Sequence, residues 1–486
     1  MVSGRKCDIV VLIVIALFVL PTKAEVIVPE VSKLPNVVII AIDTLRADHL
    51  GCYGYSRETS QEIDKLAVSG VLFDESYSSA SWTLPSFMSI FTGLMPSVHG
   101  CTTAESKLSE AIPTLSEQFQ KKGYYCGAVV SSMVVAGKYG FSRGFDKYDD
   151  TSVFLSATVN VLDSESGARG TTNNVVTGAI LTHEAKSLLK VAERSEKPFF
   201  LFIHYFDPHD DYVPPPPYDS HFDREYMGET DGKGLNHIRY RPPTGRDIEH
   251  LKALYDGEVA YTDSHIGELI RAVDESSNPE DTLVILVSDH GESFGEHGAL
   301  LHGNSAYREE TRVPMIWRWQ GVLPKGRRIK APVSTMEIAK TLAKLMEMED
   351  FELLQGQSLW PLLLDQQSVE RSPVFTERAF PEERVSHVAM TTGNLRLHAK
   401  CAKASDEGKC KYELYDVERD PLEQDDILNA ESPGLANMKS TLELMWLECR
   451  ELRNHYGEKA LNPLLKLTSE DKQRLESMGY IGGGGP

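Results

Sequence analysis

The chain contains no Cys-x-x-Cys pair, and none of its seven cysteines is spaced as a structural zinc site requires. Basic residues are the scarcer charge, with 50 Lys and Arg against 71 Asp and Glu and a formal charge of −21. That deficit excludes an ordinary nucleic-acid binder, which holds phosphates with clustered cations, and disfavours adhesion to anionic membranes. No internal repeat is visible, and no Asn-x-Ser/Thr acceptor occurs, which points to a source that does not glycosylate. An apolar run of the roughly 20 residues needed to cross a bilayer is also lacking. The stretch Ile9 to Leu20 is shorter.

What is present is an ordinary globular balance, 41% hydrophobic and 25% charged. At 486 residues the chain can form one large domain or two, with a core that needs no disulfides to exist. Arg5 and Lys6, the apolar stretch behind them and Pro21-Thr-Lys-Ala24 before Glu25 read as a cleavable export signal. Residues 1–24 are therefore expected to be a signal peptide, with the mature protein secreted or periplasmic and without a stable membrane anchor. Cys7 leaves with that segment. Cys401 and Cys410 flank a polar Lys-Ala-Ser-Asp-Glu-Gly stretch resembling a hairpin tip, so they are the expected disulfide. The pairing of Cys52, Cys101, Cys126 and Cys449 stays open.

Three runs read as strands buried on both faces: Asn36-Val-Val-Ile-Ile-Ala-Ile-Asp43, Pro198-Phe-Phe-Leu-Phe-Ile-His204 and Thr282-Leu-Val-Ile-Leu-Val-Ser-Asp289. Helical spacing covers Glu62 to Gly70, Leu84 to Phe91, Leu115 to Lys122, Thr177 to Val191 and Glu249 to Ser276. Strands alternating with helices predict an α/β fold, a large, mostly parallel sheet with helices on both faces. After Leu364 the helical spacing weakens. Ser372 to Thr376 and Tyr412 to Asp416 predict a smaller α+β subdomain with a short antiparallel sheet and a late helix, Asn437 to Tyr456. Pro214 to Pro217 and Gly228 to Pro243 read as a surface excursion, and Gly482 to Gly485 as a flexible end.

Open α/β sheets gather their chemistry at the carboxyl ends of strands. Asp43, the His204 to Asp207 segment and Asp289-His290 occupy such ends here. Asp43, Asp289 and His290 form a hard-metal set, oxygen donors supplemented by one imidazole. Ser81-Trp-Thr-Leu-Pro-Ser86 places hydroxyls just before a helix, whose amino end suits an anionic ester. Thr83 beside a divalent cation is the candidate nucleophile and a further metal contact. An N-cap role for Thr83 competes with that reading.

From Asn36 onward the chain resembles the sulfatase family of the alkaline phosphatase superfamily. The matching segments include Asn36 to Asp48 with Leu50-Gly-Cys-Tyr-Gly54, Thr83-Leu-Pro-Ser86 with Thr92-Gly93, and Asp207-Pro-His209. Ser288-Asp-His-Gly-Glu292, Gly295-Glu-His-Gly298, Arg312-Val-Pro314, Glu413-Leu-Tyr-Asp416 and Asp420-Pro-Leu-Glu423 follow in family order. The resemblance implies a catalytic domain over 33–365 and a C-terminal subdomain over 366–486. It implies a divalent cation, calcium by family or manganese or zinc, on Asp43, Asp289 and His290. It makes His209 and His302 substrate-contacting residues and candidate acids for the leaving alcohol. The implied partner is a small anionic ester or sulfated glycan.

The departures are chemical. Sulfatases carry Cys or Ser in the slot of Thr83 and oxidise it to formylglycine; a threonine, with its β-methyl group, cannot yield that aldehyde. Phe87 stands in the arginine slot and Thr44 where many members have a second metal-binding aspartate. In phosphatase and phosphodiesterase relatives threonine is a natural nucleophile and a second metal supplies positive charge. Asp207, His209, Asp211 and His302 are the candidates for part of such a second site. The expectation is a metal-dependent hydrolase of sulfuric, phosphate or phosphonate esters. The alternative is a non-catalytic anion- or glycan-binding homologue.

Overall fold

The run Asn36–Ile42 forms strand β1, every residue of it buried. Val37, Ile39 and Ala41 enter one hydrophobic core, and Val38, Ile40 and Ile42 enter the other. A strand covered by helices on each side needs apolar residues on both faces. Each fully buried aliphatic side chain contributes about 1.5–3 kcal/mol. The computed structural model describes residues 28–29, 33–151, 178–348, 351, 353–365, 370–378, 386–401, 410–429, 434–456, 463–478 and 480–481. The expected export signal, the tip between Cys401 and Cys410, and the glycine run from 482 lie outside the described residues.

β1 belongs to an eight-stranded sheet. The other strands are β2 (Val71–Phe73), β3 (Tyr125–Val130), β4 (Lys147–Asp149), β5 (Phe199–Tyr205), β6 (Thr282–Ser288), β7 (Met315–Trp319) and β8 (Arg327–Ile329). Their spatial order is β8-β2-β7-β6-β1-β5-β3-β4. β1 runs parallel to both β5 and β6, and β3 parallel to β5 and β4. β7 is antiparallel to its neighbours β6 and β2. In register, Ala41 lies beside His204 and Ile42 beside Ser288, so the carboxyl ends of β1, β5 and β6 finish at one level.

Helices α1 (Gln61–Ser69), α2 (Thr83–Thr92), α3 (Leu115–Lys121), α4 (Gly178–Arg194), α5 (Arg246–Asp274) and α6 (Glu337–Leu345) cover the two faces. α2, α3 and α6 pack on one core through residues such as Phe87, Phe119 and Leu342. Ile63 of α1, Leu188 of α4 and Ile266 of α5 pack on the other. Thr114 and Glu117 close a capping box that starts α3. α2 begins differently: Thr83 is its first residue, and Trp82 stands at the N-cap without a side-chain bond. Thr83 is therefore not an N-cap, and its hydroxyl is available elsewhere.

Strands β9 (Val374–Arg378), β10 (Ser386–Thr392), β11 (Leu395–Cys401) and β12 (Cys410–Asp416) form the expected antiparallel sheet in chain order. The disulfide closes between Cys401 and Cys410, which face each other across β11 and β12. Cys52, Cys101, Cys126 and Cys449 are free thiols. The late helix α7 runs Leu435–Tyr456, and a further helix, α8 (Ser469–Ser477), opens on a Thr468–Asp471 capping box. The bond from Glu377 N to Ser79 O, 2.9 Å, ties β9 to the loop ahead of α2. Among the described residues no helix is long and apolar enough to cross a membrane.

Candidate functional site

The backbone turns abruptly where β1 ends. Thr44 adopts φ 53°, in the left-handed region. For a β-branched residue that costs on the order of 1–3 kcal/mol and marks a turn imposed by its surroundings. The turn is held from two sides: Thr44 N donates to Asp289 Oδ1 at 3.3 Å, and Thr44 O accepts from the Tyr255 hydroxyl at 2.8 Å.

Asp43, Thr83, Asp289 and His290 are wholly buried and meet at this edge. Thr83 Oγ1 lies 3.3 Å from Asp43 Oδ1 and 3.1 Å from His290 Nε2. His290 Nε2 is 3.4 Å from Asp43 Oδ1 and 3.3 Å from Asp289 Oδ2. Asp43 Oδ2 and Asp289 Oδ2 make no hydrogen bond. Ligand atoms of Asp43, Asp289 and His290 all fall within 4.8 Å of one another.

A second buried group, His209, Asp210 and His302, satisfies the same criterion. It adjoins the first, because the rings of His290 and His302 are 4.4 Å apart and those of His209 and His302 are 4.7 Å apart. All three imidazoles are anchored alike. Nδ1 of His290 faces Gly291 O at 2.9 Å, Nδ1 of His209 faces Asp210 O at 2.9 Å, and Nδ1 of His302 faces Glu292 Oε1 at 3.1 Å. Each acceptor assigns the proton to Nδ1 and leaves the Nε2 lone pair pointing away from its anchor. Histidines that ligate metals are oriented in this way. His302 Nε2 itself has no hydrogen-bond partner. The unbonded Asp43 Oδ2, Asp289 Oδ2 and His302 Nε2 are donor atoms of the kind a divalent cation takes.

The electrostatics carry the same message. Burial works to raise Asp43, but His204 and His290 hold its carboxyl well below the usual range. Burial and the Asp43 charge push Asp289 well up. His290 would be lowered by burial, yet Asp289 and Asp43 bring it to about 9. Burial and the nearby imidazoles of His290 and His209 push His302 well down, and burial raises Asp210. Asp289 and Asp210, crowded out of water, lack compensating positive charge, which a cation would supply, whereas Asp43 draws on the imidazoles of His204 and His290.

The geometry brings together all six residues singled out from the sequence: Asp43, Thr83, His209, Asp289, His290 and His302. It corrects the proposed second set. Asp207 Oδ2 accepts from Gly178 N at 3.0 Å, at the start of α4, and the Asp211 carboxylate accepts from Gly234 N and Leu235 N at 3.0 and 3.2 Å. Asp210, between them, supplies the carboxylate instead. His204 also belongs here, its Nε2 3.4 Å from Asp43 Oδ2. Its signal was a polar residue one place before the end of an apolar strand. Phe87, in the arginine slot, lies edge-on beneath His204 at 4.9 Å. Tyr480 enters from the far end of the chain, its hydroxyl 3.0 Å from Thr83 Oγ1 and 3.0 Å from His209 Nε2. Nothing in the local sequence around Tyr480 announces that placement.

A family model described as sulfatase matches residues 35–348, and one described as N-sulphoglucosamine sulphohydrolase, C-terminal, matches residues 295–464. An arylsulfatase of Clostridium perfringens (strain 13 / Type A) is 25% identical over 448 residues, covering 82% of this chain and 91% of its own. A sulfatase of Formosa agariphila is 28% identical over 374 residues, covering 68% and 72%. Among solved structures, a protein in complex with its substrate D-glucosamine-2-N,6-O-disulfate superposes with a TM-score of 0.68 at 18% identity, over 89% of this chain and 100% of that one. The phosphonate monoester hydrolase of Agrobacterium radiobacter gives 0.66 at 19% identity, over 86% and 96%. Both share the fold.

Proposed function

Because this chain belongs to the sulfatase family, a family of ester hydrolases, we propose that it is a metal-dependent hydrolase of sulfuric, phosphate or phosphonate esters with Thr83 as its nucleophile. Phosphorus esters are the favoured class. The observation that carries this preference is the pair of buried donor clusters flanking Thr83. A single cation suits a formylglycine sulfatase, whereas a second donor set beside a threonine matches phosphoryl chemistry, in which charge on the non-bridging oxygens dominates.

In this reading Asp43, Asp289 and His290 hold one cation and His209, Asp210 and His302 the other. When bound, the cations supply positive charge beside the ester oxygens and favour the ionised Thr83 hydroxyl. Thr83 Oγ1 attacks phosphorus in line, forming a new P–O bond as the bond to the leaving alcohol breaks. Thr83 gives its proton to solvent and the leaving oxygen takes one from water, because a depressed, cation-holding Asp43 is a poor base; Asp43 Oδ1, 3.3 Å from Oγ1, orients the hydroxyl. The amino end of α2, which starts at Thr83 and has Pro85 as its third residue, is the helix end beside the proposed anion. Water then hydrolyses the ester on Thr83. A ligand histidine has no proton at Nε2 to give an alcohol, so the roles of His209 and His302 as ligands and as acids exclude each other. Their anchored Nδ1 protons support the ligand role.

The substrate is accordingly a small anionic ester or a sulfated glycan, met outside the cytoplasm if residues 1–24 act as an export signal. Residues 33–365 form the catalytic domain and 366–486 the C-terminal subdomain. The test is a metal count on purified protein loaded with calcium, manganese or zinc, followed by turnover of aryl sulfate, phosphate and phosphonate. Two ions per chain with phosphorus esters preferred is the expected result. One ion with sulfate turnover returns the assignment to a sulfatase. Anion binding without turnover, indifferent to Thr83→Ala, supports the non-catalytic alternative, which the loss of the arginine at the Phe87 position favours.

A further inference from the structure

The Tyr480 phenol stands in the middle of this site although its segment arrives from outside the sheet. That segment is strapped down at several points. Lys107 N donates to Pro463 O at 3.0 Å and Leu465 N to Glu105 O at 2.8 Å. Lys138 Nζ pairs with Asp471 Oδ1 at 2.6 Å near the start of α8. Leu475 and Met478 are buried, and Tyr480 N donates to Leu475 O at 2.8 Å, folding the chain back from the helix end. This delivers the ring beside Trp82, at 5.6 Å, and within 6.2 Å of His209 and 6.1 Å of His302.

The hydroxyl links the two donor clusters, 3.0 Å from Thr83 Oγ1 on one side and 3.0 Å from His209 Nε2 on the other. An ester attacked by Thr83 has to lie in that same interval, with its reacting atom about 3–3.5 Å from the nucleophile and its oxygens around it. The phenol oxygen and the ester group claim one position. The fold-back onto Leu475 O holds Tyr480 and Ile481 to their own segment, and the straps at Pro463, Leu465 and Asp471 lie upstream of them.

We propose that the segment carrying Tyr480 is a removable occupant of the reaction site, which competes with the anion and withdraws when the anion binds. The proposal rests on the functional reading above only in taking the space beside Thr83 as the anion site. Tyr480 as a proton donor in the reaction is the competing role. In-line attack puts the leaving oxygen on the far side of the reacting atom from Thr83, whereas the phenol lies 3.0 Å from Thr83 Oγ1 itself.

The test uses the full chain loaded with zinc, and inorganic phosphate as the probe. Calorimetry compares wild type, Tyr480→Ala and Tyr480→Phe, with thermal unfolding run on each to show that the fold is kept. Tyr480→Ala is expected to bind phosphate at least about tenfold more tightly, because the fraction of molecules with an open site rises. Tyr480→Phe, which keeps the ring and loses the bonds to Thr83 and His209, falls between. Hydrogen exchange in residues 463–481 of the wild type is expected to rise on adding phosphate. Unchanged or weaker phosphate binding in Tyr480→Ala, no phosphate binding by any variant, or an unaltered exchange pattern overturns the proposal. These readouts need no turnover. Tightened phosphate binding without hydrolysis of any ester leaves the occupant in place and removes the proposed function; hydrolysis with phosphate affinity indifferent to Tyr480 does the reverse.

Discussion

Glu292 hydrogen-bonds His302 of the second donor cluster and reaches His290 of the first only through charge, which makes Glu292→Gln a probe weighted towards the second. The side chain is fully buried, and its Oε1 lies 3.1 Å from Nδ1 of His302. Burial and the Asp210 charge push the Glu292 carboxyl well up in the metal-free protein; a cation on His302 would favour its charged form, and glutamine, which keeps the shape and an oxygen acceptor, cannot supply that charge. It also introduces an amide N–H₂ that needs a buried acceptor. Losses of this kind at carboxylate–histidine–metal contacts weaken metal binding about 10–100-fold, or about 1.4–2.8 kcal/mol. His290 is anchored by the Gly291 carbonyl rather than by Glu292, so affinity at Asp43, Asp289 and His290 is expected to stay within about threefold of wild type. The assay is a calorimetric titration of chelator-stripped protein with zinc, in which wild type shows two binding steps and Glu292→Gln weakens one. Asp289→Asn, run alongside, is expected to weaken the other. An equal loss at both steps, or none at either, refutes the separation of the site into two clusters.

Thr83→Ala is expected to lower turnover at least about a thousandfold with metal binding retained, measured by steady-state kinetics and a metal count, because the attacking oxygen is gone. Chelation is expected to lower the melting temperature by several degrees in calorimetry, since each ion held at about 100-fold excess over its Kd stabilises by about 2.7 kcal/mol. Glu423 gives a pH test. Burial alone would raise it, but the hydrogen bond from His398 and the charges of Arg396 and Arg308 hold it at about 2, against an ordinary 4.5. A depressed carboxylate contributes stability that is complete above the unfolded pKa and lost as pH falls through the folded one. The expected contribution, about 3 kcal/mol, should therefore be seen as a gap between wild type and Glu423→Gln in denaturant unfolding at neutral pH that narrows from about pH 4.5 towards pH 2.

The sheet and half of the site were legible because burial and chemistry leave different marks on a strand. Asn36–Ile42 and Thr282–Ser288 are continuous apolar runs, and the first carboxylates after them had to lie at an edge. The second cluster was less legible. Asp207, Asp210 and Asp211 sit in one loop, and only the path of the backbone decides which of them faces the histidines and which receive amide protons from Gly178, Gly234 and Leu235. His204 was legible only as the start of the polar segment at its strand's end, and its pairing with Ala41 is what sets it beside Asp43. Tyr480 is a long-range placement made by α8 and the packing of Leu475 and Met478, which residue spacing near the site does not encode.

β1 contributes alternate side chains to both hydrophobic halves of the large domain and ends in Asp43. The carboxylate is thus seated by a beam that two floors share. Repacking either floor, even far from the chemistry, transmits to the same atom, and the C-terminal sheet reaches one of those floors through Val388 and Ala399. Loss-of-activity substitutions without local contacts should accordingly cluster along Val37 to Ile42 and against their neighbours in β5 and β6.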